Sequence, residues 1–223
     1  MIKQIVKEKI LKSSLMVGMY NIIWGGNRVK CLKKEKSILT CARVLKKSNI
    51  CVKGYNNRIE IGKFNGTSTI NIFINGDNNT IIIEDDVLCN NVSLWIEDDN
   101  NCIMIKSGTL FTGKIQISAI EGSRVEIGNN CLFSSDIDIR TGDGHSIFDI
   151  SGERINQSKD VIIGDHVWCG KSVSILKGVK IATGSVVGIS SVVTKSFEDN
   201  NVVLAGNPAA IVKNNITWNY TRV

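Results

Sequence analysis

The sequence predicts an all-β solenoid built from six-residue repeats, and three observations support this fold class. Between Val161 and Val193, apolar or small residues recur in pairs at a period of six, and glycine follows several of the pairs. Aromatic residues make up only 6% of the 223 residues, fewer than a sandwich or barrel of this length usually contains. One proline accompanies 20 glycines, which indicates an ordered chain with many tight turns.

The paired positions alternate within short runs and then turn, a pattern typical of strands and not of a 3.6-residue helix. Stacking such repeats buries a continuous core that one coil alone cannot form. The pairs are Val161/Ile163, Val167/Cys169, Val173/Ile175, Val179/Ile181, Ser185/Val187 and Ser191/Val193, and upstream Val125/Ile127, Cys131/Phe133, Ile137/Ile139, Ile103/Ile105, Thr109/Phe111, Ile115/Ile117, Ile81/Ile83, Val87/Cys89 and Ile59/Ile61. The phase slips near Trp95 and Ala119, where single coils are not assigned. Asn, Asp and Gly crowd the intervening corners, because they tolerate a left-handed backbone.

These repeats resemble the hexapeptide-repeat acyltransferase family over roughly residues 55–213. The resemblance implies a left-handed parallel β-helix of triangular section, with three hexads per coil. We therefore expect a basic N-terminal segment at residues 1–50, a β-helix at 51–195 with an inserted loop at 141–160, and a C-terminal tail at 196–223. The only proline, Pro208, is expected to redirect the chain after the solenoid.

The loop at 141–160 is the longest break in the repeat, and long loops inside a compact repeat tend to be functional. It contains His145, one of two histidines, directly after Gly142-Asp143-Gly144. Acetyl transfer to an alcohol needs a base for the hydroxyl proton, and histidine is largely neutral near pH 7. It also needs a donor for the developing oxyanion, usually a backbone N–H.

The loop and the coil after it resemble the sugar and polysaccharide O-acetyltransferase branch of the family. The resemblance makes His145 the general base, and it makes Trp168 a residue that shapes the acceptor or thioester site. Asp143 or Asp149 would hold the imidazole in the right tautomer. Trp168 has an alternative interpretation as a surface residue packed against a neighbouring subunit. His166 should point outward, towards solvent or an interface.

The C-terminal coils resemble the acetyl-CoA end of the family. Small corner residues would let pantetheine lie along the coils, and lysines would meet the phosphates of CoA. The expected cofactor-binding residues are Gly170, Lys171, Gly188, Ile189, Ser190, Thr194, Lys195 and Lys213. One departure concerns Ala210, because relatives often have a basic residue two positions after the proline. Cys169 is expected to pack in the core, so we expect no acyl-cysteine.

Charge is unevenly distributed along the chain. Residues 1–50 hold 12 basic and 2 acidic residues, and the remainder holds 15 basic and 19 acidic, so the net charges are +10 and −4. The basic segment is either a solvated face or a contact for an anionic membrane surface or an acidic polymer. No recognised nucleic-acid motif accompanies the charge, so we expect at most peripheral membrane contact and no nucleic acid.

The cysteine pattern, an apolar stretch and the family resemblance predict the compartment and the oligomeric state. Seven scattered cysteines without a CxxC pair favour a reducing compartment. The apolar stretch from Leu15 to Trp24 is too short for a membrane helix, so the cytoplasm is expected. Family resemblance implies a homotrimer with active sites between neighbouring solenoids.

Three other functions use the same type of fold. An N-acetyltransferase of an amino-sugar nucleotide would use the same base, and the sequence of the His145 loop favours the O-acetyl branch. A γ-type carbonic anhydrase needs three histidines around zinc, and the chain has two, so no metal site is expected. A non-catalytic binding solenoid stays open. The sequence does not identify the acceptor, and the basic N-terminus favours a carbohydrate such as an acidic surface polysaccharide.

Overall fold

In the computed structural model, which describes residue 21, residues 25–32 and residues 37–221, the chain winds into a left-handed parallel β-helix of about 7 turns. Most of the basic residues of the N-terminal segment lie outside these residues, as does most of the Leu15–Trp24 stretch. Among the described residues, no helix is long and apolar enough to cross a membrane.

Three sheets form the sides of the stack; most coils contribute one strand to each sheet in turn, and the third sheet begins only after the first coils. The first sheet contains β1 (Arg28–Leu32), β4 (Asn49–Lys53), β7 (Ile70–Asn75), β10 (Val92–Glu97), β13 (Ile115–Ile120), β16 (Ile137–Arg140), β19 (Ser174–Ile175) and β22 (Val192–Val193). The second sheet contains β2 (Ile38–Cys41), β5 (Arg58–Ile61), β8 (Thr80–Ile83), β11 (Cys102–Ile105), β14 (Arg124–Ile127), β17 (Val161–Ile163) and β20 (Lys180–Ile181).

The third sheet contains β9 (Leu88–Cys89), β12 (Leu110–Phe111), β15 (Leu132–Phe133), β18 (Trp168–Cys169), β21 (Val186–Val187), β23 (Val203–Gly206) and β24 (Ala209–Lys213). A further parallel pair joins β3 (Val44–Leu45) to β6 (Thr67–Ser68). All pairings are parallel except that of β24, which returns antiparallel on β23. The turn between them contains Pro208, after a cis peptide bond, so the chain changes direction at the predicted proline.

The predicted inward pairs are confirmed, because every residue of the pairs named above is buried. Isoleucine and valine dominate the interior, where branched side chains pack well on a pleated surface. Each buried aliphatic side chain contributes about 1.5–3 kcal/mol through removal from water. The core therefore runs without a break along the axis of the helix.

Coil length changes along the stack, and this change explains the phase slips. Ile70 pairs with Val92, so a coil there spans 22 residues, whereas Ser174 pairs with Val192, a coil of 18. The longer coils contain the six-residue strands β7, β10 and β13. Trp95 and Ala119, where the hexad phase slips, both lie in these strands. The strict hexad is thus confined to the C-terminal coils.

Strand pairing continues across both expected domain boundaries. β1, which lies in the expected N-terminal segment, pairs with β4, which crosses the boundary at residue 50, and β21 pairs with β23 beyond residue 195. The hexad pattern does not reveal the first coils, partly because Val29, Ile38 and Leu39 are exposed near the end of the described stack. The stack therefore includes residues on both sides of 51–195.

A ladder of buried polar residues occupies the corner between the first and second sheets. The Asn79 N–H donates to Asn57 Oδ1 at 2.9 Å, the Asn101 N–H to Asn79 Oδ1 at 2.8 Å, and the Ser123 N–H to Asn101 Oδ1 at 3.0 Å. Ser123 Oγ in turn bonds to Oγ1 of Thr141 at 2.6 Å. Each side chain satisfies a backbone group of the next coil, as a buried polar group must. The ladder ends at the first residue of the inserted loop.

Arg43 is fully buried near the N-terminal end of the described stack. Its guanidinium donates to carbonyl oxygens of Gly62 at 2.6 Å and Glu84 at 3.0 Å, and to that of Val87. Burial lowers the pKa of Arg43. The side chain therefore joins successive coils through backbone carbonyls, a role that the sequence pattern did not indicate.

Candidate active site

The inserted loop occupies residues 141–160, as predicted, and connects β16 of the first sheet to β17 of the second. It leaves the stack at Thr141, whose buried Oγ1 accepts a hydrogen bond from the Ile120 N–H at 3.1 Å. A Cβ atom at Gly142 would lie 2.4 Å from Ser158 Oγ, so only glycine fits there. Gly144 adopts φ of +78°, a backbone conformation that favours glycine. The two glycines thus allow the turn that presents His145.

The outer half of the loop is a short hairpin. Phe148 and Arg154 form an antiparallel bridge, and Asp149 closes the tip by accepting hydrogen bonds from Ser151 Oγ at 2.7 Å and the Glu153 N–H at 3.0 Å. The Ser151 hydrogen bond is the main cause that lowers the pKa of Asp149. These contacts make Asp149 a turn residue and leave it without a hydrogen bond to the imidazole of His145.

Asn156 holds the inner half of the loop together, and the sequence did not single it out. This buried side chain donates from Nδ2 to the His145 carbonyl oxygen and to Asp143 Oδ2, both at 2.8 Å. Its Oδ1 accepts a hydrogen bond from the Ile147 N–H at 2.7 Å. No sequence signal marks Asn156, because its burial is visible only in the structure, where a buried amide must be fully hydrogen-bonded.

Lys177 anchors the loop to the next coil. Its Nζ contacts Asp143 Oδ2 at 2.5 Å and the Asn156 carbonyl oxygen at 2.9 Å. The Lys177 hydrogen bond, more than that of Asn156, lowers the pKa of Asp143. Asp143, expected to orient His145, therefore has its hydrogen bonds with Lys177 and Asn156, and among the described residues it makes none with the imidazole.

His145 itself is exposed. Its carbonyl oxygen is fixed by Asn156, while its ring forms no hydrogen bond with any residue that the structure describes. The loop thus positions the backbone of this histidine and leaves both ring nitrogens accessible. An imidazole nitrogen without a hydrogen-bond partner is available to accept a proton, as a general base must do.

Trp168 lies on the outer side of the third sheet and is 39% exposed. The C-terminal tail folds back beside it. There Trp218 stacks on His166 with ring centroids 4.0 Å apart, and the Trp218 Nε1–H donates to the His166 carbonyl oxygen at 2.9 Å. Tyr220 Oη donates to the Asn130 carbonyl oxygen at 2.6 Å. His166 is thus partly covered by its own chain, a contact that the repeat pattern could not predict.

Five of the expected cofactor-binding residues share one corner. Gly170 and Lys171 connect β18 to β19, and Gly188, Ile189 and Ser190 connect β21 to β22, so all lie where the third sheet passes to the first. A Cβ at Gly170 would lie 2.9 Å from the Ile189 nitrogen. The Ile189 N–H has no hydrogen bond to any described residue, so glycine at 170 leaves an amide donor open at this corner.

The other expected residues lie apart from that corner. Thr194 and Lys195 follow β22 at the corner between the first and second sheets, and Lys213 ends β24. Lys195 Nζ lies 5.6 Å from the centroid of the Phe197 ring, and Lys171 Nζ lies 3.6 Å from Asp136 Oδ2. All these lysines are exposed, as phosphate contacts would need to be.

His145 and the Gly170–Ser190 corner therefore occupy different corners of the triangular section. The loop emerges where the first sheet passes to the second, whereas the glycine corner lies where the third passes to the first. A whole sheet separates them within one chain. The topology does not bring the predicted base and the main group of predicted cofactor residues together in a single copy.

Cys169 has the packing role predicted for it. It is fully buried, and desolvation raises the pKa of its thiol well above the usual range. The thiolate is the nucleophilic form of cysteine, so this residue is unsuited to carry an acyl group.

Comparison with known proteins finds acetyltransferases among the curated relatives. No protein-family profile matches the chain. A polysialic acid O-acetyltransferase of Escherichia coli O1:K1 is 44% identical over 95 residues, 42% of this chain and 31% of the relative. One of Neisseria meningitidis is 41% identical over 107 residues, 48% of this chain and 50% of the relative. The alignments thus span half or less of these two curated relatives.

Solved structures match over more of the chain. The polysialic acid O-acetyltransferase OatWY is 35% identical with a TM-score of 0.81, covering 88% of this chain and 92% of that one. The polySia-specific acetyltransferase NeuO is 34% identical with a TM-score of 0.61, covering 88% and 90%.

Proposed function

The chain belongs to the hexapeptide-repeat O-acetyltransferases of the polysialic acid type, and on this premise we propose that it moves an acetyl group from acetyl-CoA to a hydroxyl of a surface polysaccharide. The observation that carries the proposal is the exposed His145, held by its backbone on the one long loop in the described β-helix. The relatives named above modify polysialic acid, which makes an acidic polysaccharide the favoured acceptor.

The glycine corner fits the acetyl donor. Pantetheine is a narrow chain with two amides, and the open Ile189 N–H beside Gly170 offers a donor to one of its carbonyl oxygens. Lys195 and Lys213 are exposed cations that could meet phosphates. We assign Gly170, Lys171, Gly188, Ile189, Ser190, Thr194, Lys195 and Lys213 to this role. Acetyl-CoA supplies the activated acyl group as a thioester.

His145 provides the proton chemistry. A free ring nitrogen accepts the proton of the acceptor hydroxyl while that oxygen attacks the thioester carbonyl carbon, and the imidazolium then returns the proton to the departing sulfur. Asn156 and the Asp143–Lys177 pair hold the loop in place during both transfers. In this role Asp143 is a positioning residue, and Trp168 lines the acceptor or thioester side.

A homotrimer would unite the two corners. Because His145 and the glycine corner are separated within one chain, we propose that the loop of one copy meets the glycine corner of its neighbour. The loop presents exposed apolar side chains suited to such a contact, namely Ile147, Phe148, Ile150 and Ile155. Closed rings of head-to-tail contacts are a common symmetry for homo-oligomers. The six cysteines whose side chains the structure describes are free, which supports a cytoplasmic site for this reaction.

The direct test is His145→Ala in a thiol-release assay with acetyl-CoA and a panel of free sugars, sugar nucleotides and acidic polysaccharides. We expect the loss of the base to reduce transfer by about 10²–10⁴-fold, with acetyl-CoA binding and melting temperature retained. Glu153→Ala, an exposed change on the same loop, is the matched control and should keep full transfer. Near-normal transfer by His145→Ala would reject the assignment.

A further inference from the structure

An aromatic pair lies on the outer face of the first sheet, with Trp95 exposed and Phe73 half-buried. Phe73 of β7 and Trp95 of β10 are register partners, and their rings stack with centroids 4.2 Å apart and planes inclined by 27°. Trp95 is 41% exposed. Lys53 places its Nζ 5.1 Å from the Phe73 centroid. Outward positions of a strand are usually polar, so an aromatic pair on the outer face indicates a surface that binds a ligand or a partner.

A polar row runs parallel to this pair on the same face. Asn71, Ser93, Gln116 and Asp138 are successive register partners. Each lies two residues before a member of a second row of register partners, here called the aromatic column, which consists of Phe73, Trp95, Ser118 and Arg140. Outward neighbours on one strand lie about 7 Å apart. Ser93 and Gln116 make no side-chain hydrogen bond to any described residue, and the Asn71 Nδ2 group is also unused. The face therefore combines a flat apolar platform with open amide and hydroxyl groups.

The aromatic column leads to the candidate site. Trp95 pairs with Ser118, and Ser118 pairs with Arg140, the last residue before the His145 loop. Two strand spacings, about 10 Å, separate the strand that contains Trp95 from the strand that contains Arg140. A chain lying along the column would therefore extend towards the corner where the loop emerges.

We infer that this face is a binding track for the acceptor polysaccharide, with a sugar ring packed on Trp95 and Phe73. One face of a pyranose ring carries C–H groups that pack on the electron-rich face of an aromatic ring. The ring hydroxyls then reach Asn71, Ser93 and Gln116, and Lys53 faces an anionic substituent. A purely hydrophobic protein partner would leave these amide groups unpaired at a cost. The inference rests on the proposed function for the identity of the ligand as a polysaccharide.

The test compares Trp95→Ala, Trp95→Tyr and the wild-type protein in two assays. In transfer assays, Trp95→Ala should raise the KM for long polysialic acid about tenfold. The KM for acetyl-CoA and the rate with a sialic acid disaccharide should not change, because a disaccharide at His145 does not reach the track. Trp95→Tyr keeps an aromatic face and should restore most of the affinity for the polymer.

Direct binding to an array of acidic and neutral surface polysaccharides separates this inference from the proposed function. Binding that Trp95→Ala loses and Trp95→Tyr keeps would support the track even if no polysaccharide is acetylated. An unchanged KM for long chains, or array binding that does not depend on Trp95, would overturn it. A change in oligomeric mass of Trp95→Ala in light scattering would also overturn it, because the face would then be a subunit contact.

Discussion

One buried amide, that of Asn156, connects three parts of the loop. It holds the His145 carbonyl oxygen, the Asp143 carboxylate and the Ile147 N–H. His145, the proposed base, is therefore positioned through its backbone and not through a carboxylate on its ring. Sequence reasoning chose His145 from its glycine neighbours and the break in the repeat. It could not find Asn156, because the side-chain hydrogen bonds of that residue reach positions up to 13 residues away.

Asn156→Ala should therefore slow catalysis more than it weakens the fold. The change leaves the Ile147 N–H and the His145 carbonyl oxygen without partners, at a cost of about 1–3 kcal/mol in local stability. Misplacement of the base by about 1 Å can cost up to about 10²-fold in rate, so we expect kcat to fall while the KM for acetyl-CoA stays constant. Steady-state kinetics check this, and an unchanged kcat would remove Asn156 from the site.

The Asp143–Lys177 pair predicts a pH dependence of the loop. Since Lys177 lowers the pKa of Asp143, the pair stabilises the folded loop above the ordinary pKa of an aspartate. This contribution is lost as the pH falls through the depressed value. In Lys177→Met the pKa of Asp143 should rise towards the ordinary value, which a carboxyl-carbon NMR titration measures. A titration identical to that of the wild-type protein would show that Lys177 is not the cause.

Among the elements, the polar ladder at the corner before the loop offers the clearest stability test. Asn101 satisfies the Ser123 N–H through Oδ1 and donates from Nδ2 to the Glu97 carbonyl oxygen at 2.8 Å. Asn101→Ala should lower the free energy of unfolding by about 1–3 kcal/mol, because these buried groups lose their partners. Denaturant unfolding measures the loss. The exposed corner change Asn100→Gly, at φ of +62°, is the control and should leave stability almost unchanged.

The C-terminal and N-terminal coils show why the hexad pattern predicted the elements unevenly. From Val161 onward the period of six matches the strands, because these coils of 18 residues contain three equal sides. Upstream, extra residues in the first sheet lengthen each coil to about 22 while the inward pairs stay buried. The six-residue period identifies the buried pairs but does not give the number of residues in each coil. The tail contact of Trp218 on His166 is not repetitive, so no period could reveal it.

At the scale of the whole molecule, the separation of the two corners requires a second copy to complete the proposed site. In the proposed trimer, each copy would offer its His145 loop to one neighbour and its glycine corner to the other, because the two lie at different corners of the chain. Such a head-to-tail arrangement closes into a ring. The predicted base and the main group of predicted cofactor residues thus lie at two corners, and only the path of the chain through the three sheets shows that they are apart.

Mixing two inactive variants tests this arrangement. His145→Ala removes the base, and Gly170→Trp blocks the glycine corner, since even a Cβ there lies 2.9 Å from the Ile189 nitrogen. When the two are unfolded and refolded together in equal amounts, three quarters of random trimers are mixed, and each mixed trimer keeps one intact site of three. We therefore expect about one quarter of the wild-type activity. If each site were complete within one chain, the mixture would stay as inactive as its components, and light scattering would confirm that mixed trimers had formed.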